Sequence, residues 1–131
     1  YIDDSINECE HNLGIQTIAG RFRRLPDIIS SDYGVRARAR RQTINSIVQG
    51  SAADLVDEAM LRCESDPRLR RIGVRTLLQV HDELVFEVPN IPEVVKEAKR
   101  LIKEDMEDPI PGISVPIRIS MDSGRSWGDA K

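Results

Sequence analysis

Cysteine is scarce in this chain. Cys9 and Cys63 are its whole complement, and neither has a partner at zinc-ligand or redox spacing, so both are expected to be reduced, inert thiols. Apolar runs are short as well, a few residues each, where a membrane helix needs about 20. No charged start followed by an apolar block marks a secretion signal. Repeats and low-complexity tracts are missing too. These absences predict a soluble, cytoplasmic protein. What is present is an ordinary globular balance, with 40% apolar and 31% charged residues in 131. That is enough for a single domain with a real core.

The net charge of −3 conceals two opposed halves. Between Gly20 and Arg41 seven arginines (21, 23, 24, 36, 38, 40 and 41) face two acids, Asp27 and Asp32. Between Asp82 and Asp108 nine acids face four bases. Every base in the first cluster is arginine, whose guanidinium fork suits phosphate oxygens better than an ammonium does. A polyanionic partner is one reading; a solvated arginine-rich loop and helix start is the other.

Hydrophobic spacing divides the chain into alternating elements. Ile2 and Ile6 sit four apart as in the end of an amphipathic helix that began upstream, and Leu13-Gly14 supplies a stop. Ile15 to Ala19 and Phe22 to Leu25, joined through Gly20-Arg21, predict a short β-hairpin. From Val35 to about Arg62, Ile44, Ile47, Val48, Leu55 and Ala59 recur at helical spacing, predicting a long helix with a distortion at Gly50 and an end at Ser65-Asp66-Pro67. Val74 to Val80 and Leu84 to Val88 predict a strand-turn-strand unit. A helix from Pro92 to about Met106 buries Val94, Val95, Ala98, Leu101 and Ile102. A rigid loop over 108–112 and a final strand from Ser114 to Asp122 follow, and Gly124 to Trp127 turns the chain. The fold class is α+β: a small antiparallel sheet, made of the Val74–Val88 strand-turn-strand unit and the C-terminal strand, backed by the long helix and a second helix.

Two constellations carry chemical potential. His81-Asp82-Glu83 lies between two apolar strand runs and belongs at a turn, because burying such groups unpaired costs several kcal/mol. Carboxylates at a sheet edge suit Mg²⁺, a hard cation that takes one or two of them plus substrate phosphates; a plain polar hairpin turn is the other meaning. A zinc site fails for lack of a second histidine or cysteine nearby. On the long helix, Arg41, Asn45 and Gln49 are spaced i, i+4, i+8 and form one polar stripe. Amides so placed can donate to the minor-groove acceptors common to every base pair, or they can be a solvated face.

Leu78-Gln79-Val80-His81-Asp82-Glu83-Leu84-Val85-Phe86-Glu87 resembles the C motif of family A, DNA polymerase I-like, DNA polymerases. Arg41-Gln-Thr-Ile-Asn45-Ser-Ile-Val-Gln49-Gly-Ser-Ala-Ala-Asp54 resembles the helix that precedes it there. Gly20-Arg21 through Leu25-Pro26-Asp27 is similar to the family's glycine-arginine hairpin, and Val115-Pro116 through Gly124-Arg-Ser-Trp127 to its carboxyl terminus. The resemblance covers nearly the whole chain and implies the C-terminal part of a polymerase palm. It implies Asp82 as a catalytic metal ligand with Glu83 its catalytic acidic neighbour, and Arg21, Arg41, Asn45, Gln49 and His81 as DNA-binding residues. The implied cofactor is Mg²⁺ in a two-metal site shared with residues outside this chain. The implied partners are primer-template DNA, a deoxynucleoside triphosphate, and a second polypeptide or upstream region, with nucleoid-associated residence in the cytoplasm, an organelle or a virus-infected cell.

Departures from the family pattern shape the expectation. Phe22 and Arg24 stand where many relatives have an arginine and an aromatic, and Asp57 where a lysine is common. The family's other metal-binding aspartate, the nucleotide-gripping finger helix and the thumb have no counterpart here. Half an active site is therefore expected, inactive without the rest of the polymerase, whether the chain is a natural split-enzyme piece or an excised fragment. A non-catalytic DNA-binding or fold-completing subunit is the alternative.

Overall fold

The computed structural model describes residues 1–107, 110–111 and 113–130. They fall into two compact units, Tyr1–Asp54 and Leu55–Lys131. No helix is long and apolar enough to cross a membrane among the described residues.

In the first unit, α1 (Ile2–Asn12) ends on Leu13 in the left-handed conformation (φ 52°). The stop predicted at Leu13-Gly14 is there, but Leu13 takes the left-handed turn, and Gly14 opens β1 (Gly14–Gln16). Gly14 is required by space: a Cβ there would run into the Phe22 ring and the Arg23 carbonyl oxygen. β1 pairs antiparallel with β2 (Phe22–Arg24), with Ile15 opposite Arg23, and Gly20 takes φ +81° in the connecting turn. A 3₁₀ turn, Pro26–Ile29, leads to α2 (Tyr33–Ser65). Cys9, Ile15, Leu25, Ile28 and Ala39 form the core, with Ile47 packed on it.

Of the apolar positions that spacing marks on α2, Ala59 is buried and Ile47 packs on the core, but most positions buried before Leu55 are not among them. Val48 is 60% exposed, while Ala39, Thr43, Ser46 and Asp54 are buried, at intervals of three, four or eight residues. This is one helical face built from small and polar side chains. Its hydroxyls avoid the cost of burial by donating back along the helix, Thr43 to Ala39 O at 3.0 Å and Ser46 to Gln42 O. The predicted distortion at Gly50 is absent, and the helix runs through it unbroken. Gly50 serves close approach, since a Cβ would lie 2.6 Å from Thr17 Cγ2.

In the second unit, the end of α2 is followed by α3 (Pro67–Arg71), a short helix absent from the sequence expectation. Asp66 caps it by accepting from Arg68 N at 2.7 Å. β3 (Arg75–Val80) and β4 (Glu83–Glu87) form an antiparallel hairpin with a bulge between Thr76 and Leu78, and α4 (Pro92–Glu107) follows. Cys63, Leu69, Val74, Ala98, Leu101 and Ile102 make the core, joined by Phe86, Val88 and Met121. Both cysteines are buried, and burial, followed by Asp105 and Asp66, pushes the Cys63 thiol up to about 12. An inert thiol at Cys63 is what that environment produces.

The α+β class is as expected, with two antiparallel two-stranded sheets, one in each unit. One expectation needs correction. The final strand over 114–122 does not form: Ile117, Ile119 and Met121 keep the inward alternation, but the segment enters no ladder among the described residues. A strand needs an edge to pair with, and Pro116 also lacks a donor. Of the predicted 108–112 loop, Asp108, Pro109 and Gly112 lie outside the described residues.

Where α3 meets α4, Arg68 pairs with Asp66 at 2.9 Å, Glu104 at 2.9 Å and Asp105 at 3.7 Å. One Asp105 oxygen is buried without a hydrogen-bond partner among the described residues. Burial, and then the neighbouring Asp66 carboxylate, push the Asp105 carboxyl above its usual range despite Arg68. A raised folded-state value means that the folded protein favours the protonated acid. The resulting stability is present at low pH and lost as pH rises through that value. Asp105→Asn, which mimics the protonated form, is expected to stabilise the protein at pH 7 by about 1 kcal/mol. The gain should shrink as pH falls towards about 4. Urea unfolding over a pH series checks it; destabilisation at pH 7 would contradict the assignment.

Candidate functional site

The acidic turn lies at the tip of the β3–β4 hairpin. Val80 pairs with Glu83, so His81 and Asp82 form a two-residue turn and Glu83 opens β4. His81 takes positive φ (56°) and Asp82 does not, the pattern of a type II′ hairpin turn, whose first position usually holds glycine. A non-glycine residue held in a sparsely populated positive-φ region costs of order 1–3 kcal/mol. Gln79 Nε2 donates to His81 O at 3.2 Å and ties the turn down. His81, Asp82 and Glu83 are all exposed, and their side chains enter no hydrogen bond or ion pair among the described residues. Two free adjacent carboxylates are hard oxygen donors suited to Mg²⁺. No group of three metal-ligating side chains forms among the described residues, so the donor set fits part of a metal centre.

The helical stripe belongs to the first unit. Arg41, Asn45 and Gln49 are all exposed on α2; Arg41 and Asn45 lie opposite the buried face, and Gln49 lies at its flank. Of the seven clustered arginines, Arg36 donates to Ser30 O at 2.7 Å and Arg40 pairs with Glu10 at 3.0 Å. Arg23, Arg24, Arg38 and Arg41 are exposed and enter no such bond among the described residues. Within the basic run these four are the guanidinium groups left for an external anion.

Arg21 is engaged internally. Its Nε donates to Asp54 Oδ1 at 2.9 Å and its Nη2 to Gly50 O at 3.0 Å, while Nη2 also lies 2.7 Å from Asp54 Oδ1. Burial alone would raise the Asp54 carboxyl; hydrogen bonds from Thr17, Arg21 and Ala19 hold it below the usual carboxylate range. Ser51 Oγ accepts from Ile18 N at 2.9 Å. Sequence reasoning missed Ser51 and Asp54 as partners of the hairpin. The signal available was Gly50, a small residue inside a helix, read there as a distortion.

Residues 1–129 match the family model described as DNA polymerase family A. The chain belongs to DNA polymerase family A. It is 42% identical to the thermostable DNA polymerase I of Thermus filiformis and 36% identical to DNA polymerase I of Bacillus subtilis (strain 168), in each case over all 131 residues. It spans only 15% and 14% of those proteins. Among solved structures it is similar to the POL domain of Pol1 from M. smegmatis, in complex with DNA primer-template and dNTP. That match has a TM-score of 0.88 and 37% identity, and covers 99% of this chain and 22% of the other. In this family A segment the stripe and Arg21 lie in the first unit, and the acidic turn in the second.

Proposed function

We propose that these residues are the C-terminal palm part of a DNA-directed DNA polymerase, whose fingers, thumb and strand with the other metal-binding aspartate would be supplied from outside them. In this reading it supplies one catalytic metal ligand and part of the primer-template grip. The observation that carries it is the β3–β4 tip, which presents Asp82 and Glu83 exposed and without side-chain partners among the described residues. Asp82 would ligate Mg²⁺, with Glu83 as its acidic neighbour. When bound, a pair of such ions supplies activation of the primer 3′-hydroxyl and neutralisation of the triphosphate and leaving group. The turn places Asp82 at the hairpin tip, and His81 would contact the primer strand beside it.

Duplex binding falls to the first unit. Arg41, with Arg23, Arg24 and Arg38, contacts phosphates, and Arg21 offers its remaining Nη1 edge. Asn45 and Gln49 donate to minor-groove acceptors, which report pair geometry without reading sequence. The test is primer extension by the chain together with the polypeptide that supplies the rest of the polymerase. Metal-dependent incorporation supports the reading; duplex binding without incorporation in a complete assembly favours the non-catalytic subunit.

Two quantitative outcomes follow from the duplex contacts. Replacing Arg38 and Arg41 together by alanine should shallow the slope of log affinity against log salt by up to about 1.8, at about 0.9 per phosphate contact. An unchanged slope would put both side chains in solvent. Gln49→Ala should slow extension of matched primers more than mismatched ones, by about 2- to 12-fold for one hydrogen bond. Single-nucleotide extension from both kinds of terminus checks this; equal slowing would remove the geometry-sensing role.

A further inference from the structure

Within the first unit, every bond that holds the tip of the β1–β2 hairpin outside the hairpin itself runs to one turn of α2. Ile18 N donates to Ser51 Oγ at 2.9 Å and Ala19 N to Asp54 Oδ2 at 3.4 Å. Arg21 reaches both Asp54 and Gly50 O, and Gly50 lets Thr17 lie against the helix where a Cβ would collide. The Asp54 side chain is 7% exposed. Burying a carboxylate is a poor way to gain stability, because desolvation offsets most of the attraction; what such a pair does well is fix one geometry among several. The geometry fixed here is specific. Gly50 directly follows Gln49, and β2, which starts one residue after Arg21, carries the unpartnered Arg23 and Arg24.

We infer that Asp54 is a positioning residue: through Arg21 and the 18–19 backbone it sets β2 against α2, and so fixes the spacing of Arg23 and Arg24 from the Gln49 end of the stripe, on which the grip on a duplex depends. This rests on the duplex-binding reading proposed above. Asp54 itself touches no DNA. Its carboxylate would repel phosphates, and its value to binding lies wholly in where it holds the hairpin.

That gives the test a sign. On charge alone, Asp54→Asn removes a negative charge and frees a guanidinium, so duplex affinity should rise. The positioning role demands a fall, of about ten-fold, the scale of one hydrogen bond to a charged group. Ser51→Ala alters no charge and removes only the acceptor for Ile18 N, so it should lower affinity in the same direction by a smaller factor. It also keeps the test valid if Asp54→Asn folds poorly. Affinity for primer-template is measured in the complemented polymerase, alongside hydrogen exchange of the Ile18 and Ala19 amides. Faster exchange with weaker binding supports the inference. Faster exchange with unchanged or tighter binding overturns it, leaving a purely structural fastening, and unchanged exchange in both variants overturns it too. Arg41→Ala separates the two levels: if it leaves affinity intact the duplex-binding reading has failed, whereas if only Arg41→Ala weakens binding the positioning role has failed.

Discussion

Asp82→Ala in the complemented polymerase is expected to lower the rate of nucleotide incorporation by at least about 10²–10³-fold, the scale on which removing one transition-state electrostatic partner acts. Primer-template affinity should change far less. A metal ligand works mainly on charge that develops during the reaction, so its loss appears in the chemical step and only weakly in ground-state binding. Asp82 is suited to that role because it sits at a hairpin tip with no protein partner among the described residues. A carboxylate already committed to an arginine, as Asp54 is, would have to surrender that bond first. Single-turnover incorporation and equilibrium binding, measured on the same preparations, separate the two quantities. A small loss of rate with a large loss of affinity would move Asp82 from chemistry to binding, and an untouched rate would make the chain a fold-completing subunit.

The isolated chain is expected to give no template-directed incorporation, with activity appearing only when a polypeptide carrying the other metal-binding aspartate and the nucleotide-binding fingers is added. The expected difference is all or none. Two-metal chemistry requires ions about 3.5–4 Å apart, held by carboxylates from more than one position. Among the described residues no three metal-ligating side chains come together, so the acidic turn has no metal-ligating companion among them. Primer extension by the purified chain, with and without the complementing polypeptide, is the measurement. Sustained incorporation by the chain alone would end the half-site reading.

Local pattern carried much of the fold. A β-rich run before His81-Asp82-Glu83 and apolar alternation after it marked two strands and the turn between them, because such patterns are local to each segment. In α4 the spacing of Ala98, Leu101 and Ile102 marked the buried face correctly, since each of those side chains is apolar enough to announce its burial. The acidic turn and the amide stripe were legible for the same reason: their members are close in sequence, and short-range geometry alone brings them together.

What lay beyond the sequence were choices made by partners distant along the chain. Arg21 and Asp54 are 33 positions apart, and nothing in either segment states that one guanidinium of seven in the basic run will be spent on that carboxylate. The buried face of α2 was hidden because Thr43, Ser46, Gly50 and Asp54 do not read as a core; they are buried or half-buried because the hairpin and α1 approach closely there, and small side chains permit it. The segment 114–122 shows the converse. Its alternation is a property of the segment, but a strand is a property of a pair, and backbone hydrogen bonding is decided by whether a neighbouring edge is present to receive it.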